Sequence, residues 1–294
     1  MAGITREEYA VFTRLIREIS GIVLDDSKAY LVEARLGSLL VELKLSSFGE
    51  LYYRIRNDSS GNLKQRVIDR MTTQETSFFR DSAPFEMLKF KILPDLIDAR
   101  RRQFPSLGKT PIRIWSTACS TGQEIYSIGI ALKEVLGELS GYSIHILGTD
   151  ISDAAIAKAS YGHYSSFEIG RGLSPDLLDK YFTRKGDAYR ISDEIRALVS
   201  FRRLNLHEDF GSLGRWDIVF CRNVAIYFGD KDKQSLFDRI LKVLEADGYL
   251  VIGSTESLLG TCPNFEAKRH LRSVFYQPKT VAPSVGSLIC PVKD

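Results

Sequence analysis

At 294 residues and 44% hydrophobic content, the chain can build one large or two smaller globular domains with full cores. Its 40 Lys and Arg against 37 Asp and Glu leave a net charge of +3, too weak a field to recruit nucleic acid or an anionic membrane surface. No apolar run approaches a membrane span, MAGITREEYA lacks a signal-peptide core, and Cys119, Cys221, Cys262, Cys290 and the four histidines show no CxxC, HExxH or HxH spacing, so the expectation is a reduced, cytoplasmic protein without disulfide frame, metal site or direct membrane insertion.

In chain order, residues 5–80 read as helices. Thr5 and Glu8 form a capping-box pattern, followed by Tyr9, Phe12, Ile16 and Ile19 at helical spacing and by Gly21 as a stop. A second helix is predicted over 27–45 on Leu31, Leu36, Leu39, Leu40 and Leu43, a third on Phe48, Leu51, Tyr52 and Ile55, a turn at 58–62 and a fourth helix on Leu63, Val67, Ile68 and Met71. Residues 85–102 look helical, with Pro94 at a start or kink.

Strands and helices then alternate: strand 112–118, helix 124–136, strand 143–149, helix 152–160, and later strand 217–221, helix 231–245 and strand 249–253. Such alternation predicts a parallel sheet covered on both faces. Residues 161–205 interrupt it with a Gly-flanked loop (170–172), a helix opening at Ser174-Pro175 and strand-like pieces at 189–191 and 199–204, read as an insertion carrying a small antiparallel sheet. Residues 281–294 have no periodicity and read as a disordered tail.

The residues able to do chemistry fall at the carboxyl ends of the predicted strands, where open α/β sheets bind ligands. After the first strand, Ser116, Ala118, Ser120, Thr121 and Gly122 are small enough for a cofactor to approach the backbone. Neither GxGxxG nor a Walker lysine is present, which disfavours a pyrophosphate loop. Glu124 could bind a cofactor amino group or simply sit at a helix N-terminus. Asp150 could take ribose hydroxyls, or cap the next helix in place of Ser152. Asn205 could read an adenine edge, support the pocket or form a turn; Arg222, Asn223 and Tyr227 follow another strand. Thr72–Arg80 is either a linker with two buried aromatics or a lid that carries Thr76 and Arg80 over the pocket.

From Thr5 to about Pro278 the chain resembles the chemotaxis receptor glutamate methyltransferases, the CheR family. The motifs are TSFFR at 76–80, STGQEIYS at 120–127, TDI at 149–151, Asn205-Leu206, FCRNVAIYF at 220–228 and GSTES at 253–257. The resemblance implies an α/β protein: a helical N-terminal domain and linker (1–80), then a Rossmann-like class I methyltransferase domain (81–280) with its β insertion at about 161–205. It implies S-adenosylmethionine as cofactor, S-adenosylhomocysteine as product, and methyl esterification of glutamates on the cytoplasmic helices of methyl-accepting chemotaxis receptors. Gln74, Thr76, Arg80, Ala118, Glu124, Asp150, Asn205, Leu206, Arg222 and Asn223 match cofactor-binding positions, although many relatives have Asn where Gln74 stands. Arg80, Arg222 and Tyr227 match active-site positions. Lys28 and Arg35, one face apart by seven residues, match a receptor-docking helix. A monomer is expected. The alternatives are a methyltransferase for another substrate and a signalling module that binds the cofactor or its product without turnover.

Overall fold

The computed structural model describes residues 3–271 and 273–279, so the expected tail at 281–294 lies outside the described residues. Four helices open the chain: α1 (Arg6–Ser20), α2 (Ala29–Glu42), α3 (Phe48–Arg56) and α4 (Asn62–Met71). The Thr5–Glu8 capping box is formed, and Gly21 ends α1 at φ 75°, a conformation open to glycine. Phe12, Leu15 and Ile16 of α1 pack on Leu36, Leu39 and Leu40 of α2, Leu51 and Ile55 of α3, and Val67 of α4. One expectation differs. Val32 joins this core, whereas Leu31, one position away on the helix, lines a cavity described below.

The helical stretch around Pro94 is divided. After α5 (Ser82–Met87) a π-turn over Leu88–Ile92 leads into α6 (Leu93–Gln103), with Pro94 in its first turn. Proline has no N–H to continue the ladder, and at the junction the Leu93 N–H reaches back five residues to the Leu88 carbonyl.

The sheet follows: β1 (Thr110–Ser116), α7 (Gln123–Leu136), β2 (Tyr142–Asp150), α8 (Asp153–Tyr161), β3 (His163–Ser165), α9 (Ser166–Gly170), α10 (Pro175–Tyr181), β4 (Phe182–Lys185), β5 (Ala188–Ile191), α11 (Asp193–Arg196), β6 (Val199–Arg203), β7 (Trp216–Cys221), α12 (Asp230–Val243), β8 (Leu244–Ile252), β9 (Phe265–His270) and β10 (Ser273–Pro278). Seven strands form one sheet in the order β6-β2-β1-β7-β8-β10-β9, and β3-β5-β4 form a separate antiparallel sheet. Strand alternation divides the core between two faces. Ile112, Ile114, Ile218 and Phe220 meet Leu96 of α6 and Ile128 of α7. Trp115, Val219 and Cys221 meet Leu236, Phe237 and Ile240 of α12.

Two features differ from the sequence expectation. The large sheet is mixed, not parallel, because β10 runs antiparallel to β8 and pairs with β9 in a hairpin. The run at 199–204, read as part of the insertion, is the edge strand β6, parallel to β2 with Ile146 opposite Val199. The small sheet therefore spans only 163–191. Among the described residues no helix is long and apolar enough to cross a membrane.

Candidate active site between the helical domain and the sheet

Because β1, β2, β6, β7 and β8 run parallel, their carboxyl ends share one edge of the sheet. The helical domain packs over that edge and encloses a cavity of about 250 Å³. Gln74, Thr76, Arg80, Ala118, Glu124, Asp150, Asn205, Leu206, Arg222, Asn223 and Tyr227 all line it. The structure thus brings every expected cofactor and active-site residue to one place.

The loop after β1 turns sharply: Ser120 takes a left-handed φ of 48° and Gly122 one of 97°. A Cβ on Gly122 would lie 2.8 Å from the Tyr164 hydroxyl, so glycine is required there. Asp150, at the end of β2, is only 7% exposed and accepts hydrogen bonds from the Ser120 and Ser152 N–H groups, each 2.9 Å. Burial pushes its carboxyl above the ordinary range, opposed by those two N–H groups. Ser152, not Asp150, caps α8. Burial first, then the charges of Asp150 and Glu124, push the Cys119 thiol well up, which disfavours the thiolate there.

Arg222 spends both terminal nitrogens of its guanidinium inside the site, while its Nε is buried without a partner. Its side chain is 1% exposed; Nη1 donates to Glu124 (2.8 Å), and Nη2 donates to the Arg80 carbonyl (2.8 Å) and Asp81 (3.0 Å). The second Glu124 oxygen accepts from the Ser116 hydroxyl at 2.8 Å. Arg222 therefore ties strand β7 to α7 and to the linker, and its guanidinium is committed to that task. The Arg80 side chain differs: Nη1 donates to the Glu75 carbonyl at 2.9 Å, and no ion-pair partner exists for it among the described residues. Phe79 and Asp81, on either side of it, both sit at left-handed φ (48° and 54°), as does Asn223 (55°). Strained non-glycine backbone thus gathers around this cavity, as it does at functional sites generally.

Several of the expected residues also make contacts within the protein. Asn205 accepts from the His207 N–H (3.0 Å) and donates to the Ile19 carbonyl (3.1 Å), so its side chain joins the domains as a pocket support. Gln74 accepts from the Ser120 hydroxyl at 2.8 Å and fixes the linker to the β1 loop. Lys28 and Arg35 do share a face, but that face lines the cavity. Arg35, half-buried, donates to the Met71 carbonyl (2.5 Å) and the Thr73 hydroxyl (3.1 Å), which binds α2 to the linker. Missed from the sequence were the contributions of Ser20, Ile22, Leu24 and Leu31 of the helical domain, and Asp81 and Glu256, which hold the walls. The apolar run Ile22-Val23-Leu24 just past a helix-ending glycine was the available signal for the first group.

Comparison with known proteins agrees with this arrangement. A family profile described as CheR methyltransferase, SAM binding domain, matches residues 74–273, and one described as CheR methyltransferase, all-alpha domain, matches residues 7–72. The chain is 39% identical over 277 residues to Chemotaxis protein methyltransferase 1 of Pseudomonas aeruginosa, covering 92% of this chain and 98% of that one. It is 39% identical over 279 residues to Chemotaxis protein methyltransferase 1 of Vibrio cholerae, covering 94% and 98%.

Proposed function

This chain belongs to the CheR family of chemotaxis protein methyltransferases, and from that premise we propose that its interdomain cavity holds S-adenosylmethionine and admits a receptor glutamate beside Arg80 and Tyr227. It is an S-adenosylmethionine-dependent enzyme whose substrates are chemoreceptors. We assign it to the cytoplasm, as a monomer acting on receptor helices there.

The residues fit the cofactor. Asp150 presents a buried acceptor at the end of β2, where ribose hydroxyls can donate. Ala118 and Leu206 supply small and apolar surface, Glu124 is an acid at the cavity wall for the amino group, and Thr76, Gln74 and Asn223 complete the lining. When bound, S-adenosylmethionine supplies a methyl group on a sulfonium.

The glutamate carboxylate is ionised at neutral pH and needs no general base. What this chain must do is orient it and exclude water, a contribution of about 7–11 kcal/mol in favourable cases. Arg80 and the Tyr227 hydroxyl can donate to the carboxylate. Because the Arg80 Nη1 is held by the Glu75 carbonyl, the side chain is aimed without being fully spent on the substrate. That matters, since charge on the carboxylate falls as the ester forms, and a tighter ion pair would stabilise the ground state more than the transition state.

The observation that carries this reading is Arg80, held between two strained residues at the cavity and free of an ion-pair partner among the described residues. It is tested by transfer of labelled methyl to membranes bearing chemoreceptors. Arg80→Ala should lower turnover by about 100-fold, and Tyr227→Phe by about 10-fold. Base-labile label on the receptor identifies the ester; full transfer by both variants refutes the assignment.

A further inference from the structure

The segment Gly253–Ser257, at the carboxyl end of β8, contributes no residue to the cavity lining, yet it is built against the site. One oxygen of Glu256, Oε2, accepts two backbone hydrogen bonds: from Asn223 at 2.7 Å and from Gly253 at 2.8 Å. Asn223 is the residue held at a left-handed φ of 55°, directly after Arg222. For a residue other than glycine that conformation is unfavourable unless its neighbours impose it. Glu256 is the group that holds the Asn223 N–H in that turn. The close approach also constrains Gly253, where an added Cβ would lie 2.5 Å from Oε2 and 3.0 Å from the Asn223 side-chain nitrogen. From the same segment, the Ser254 hydroxyl donates to Asp81 at 3.3 Å, and Asp81 holds the Arg222 guanidinium. The second Glu256 oxygen, Oε1, is buried without a partner. A carboxylate kept half-desolvated for the sake of two N–H groups is unfavourable unless the turn it fixes matters.

We infer that Glu256 is a positioning residue for methyl transfer: it locks the Arg222–Asn223 turn so that Asn223 meets the cofactor and Arg222 meets Glu124 and the Arg80 carbonyl. The inference rests on the reading of Asn223 as a cofactor contact. Removing the carboxylate leaves two N–H groups unpaired and lets the turn relax. A glutamine in its place retains an oxygen that can accept both.

The test is calorimetric titration of the full chain with S-adenosylhomocysteine, with methyl transfer measured on the same preparations. Glu256→Ala should weaken binding by about 10-fold or more and lower turnover, whereas Glu256→Gln should stay within about 3-fold of the parent. Gly253→Ala, which pushes on the same oxygen from the other side, should weaken binding in the same direction. If Glu256→Ala does not fold, Glu256→Asp, one methylene too short to reach both N–H groups, is expected to show the weakening instead. Rescue by glutamine with loss in the other variants separates positioning from general stability. Unchanged affinity in Glu256→Ala, or equal loss in Ala and Gln, overturns the inference. Asn223→Ala in the same titration distinguishes the two levels: wild-type binding there overturns the cofactor reading itself, whereas weakened binding there with intact Glu256→Ala overturns only the role of Glu256.

Discussion

Asp150 is the residue whose electrostatics most directly report on the cofactor. Its carboxyl is pushed up by burial even though two N–H groups oppose the shift. For a raised carboxyl the stabilising contribution is complete below the ordinary carboxylate range and is lost as pH rises through the folded value, so at neutral pH the ionised form is a strain on the free protein. Ribose hydroxyls that donate to the ionised form relieve that strain and draw the pKa back down. S-adenosylhomocysteine should therefore bind less tightly as pH falls into the mildly acidic range, and binding there should release a proton. Asp150→Asn should abolish the release. Calorimetry in buffers of different ionisation enthalpy measures it; pH-independent binding with no proton release would remove Asp150 from the ribose site. At this scale the sequence was informative where a residue type sits at a strand end, as with Asp150 and Arg222. It gave no role to Asp81, nor to Glu256 within the GSTES motif, because their partners lie 141 and 33 residues away along the chain and only the fold brings them together. The left-handed turns at Phe79, Asp81, Ser120 and Asn223 were equally hidden, since none is a glycine.

At the scale of elements, the small sheet is wedged between the linker and the cofactor loop. Phe78 is fully buried, edge-on to Tyr164 of β3 (5.0 Å between centroids) and to Phe182 of β4 (5.4 Å). The Tyr164 hydroxyl donates to the Thr121 carbonyl at 2.9 Å. Just after α9, Arg171 pairs with Glu75 of the linker, and Gly172, at φ 98°, lies so close that a Cβ would sit 2.0 Å from the Phe78 carbonyl oxygen. Gly172→Ala cannot be accommodated without moving the linker that carries Arg80. We expect a stability loss of about 1–3 kcal/mol from the strained backbone alone, and a fall in turnover beyond what the lower melting temperature explains. Melting curves and methyl transfer at a temperature where both proteins are folded check this; unaltered turnover would show that the loop does not set the linker. The existence of the insertion was legible in the break in alternation, but its end was not. Strand β6 carries exposed Arg202 and Arg203 and gives no sign of which sheet it joins. The β9–β10 hairpin escaped notice because Glu266–Arg269 are four consecutive exposed residues, without the period of a half-buried strand.

For the whole molecule, the decisive feature is that a set of polar contacts joins the helical domain to the sheet around the cavity. The Val23 N–H donates to the Tyr227 carbonyl (2.9 Å), Asn205 to the Ile19 carbonyl (3.1 Å), Ser152 to Asp69 (2.7 Å) and Gln65 to the Ile151 carbonyl (3.1 Å). Interfaces of this kind within a chain permit relative motion, so a ligand that touches both sides should hold them together. At 100 times its dissociation constant, such a ligand stabilises the closed form by about 2.7 kcal/mol. Gly21 is a point of close approach between the two parts. It ends α1 at φ 75°, and a Cβ there would lie 1.6 Å from Nε2 of His207, whose ring is edge-on to Phe228 at 4.9 Å and whose Nε2 is buried without a partner. Gly21→Ala should therefore part the domains at that edge. The expected results are S-adenosylhomocysteine affinity reduced by about 10-fold, equivalent to about 1.4 kcal/mol, and faster proteolysis within Thr72–Arg80 that the ligand no longer suppresses. Alanine at a left-handed helix cap also frays the helix, so a second substitution decides between the causes. His207→Ala in the Gly21→Ala background removes the imidazole that the new methyl meets. Recovery of affinity and protection in the double variant identifies domain closure as what the glycine serves; continued loss would assign the effect to the cap of α1 and leave the closing of the cavity to the polar contacts alone.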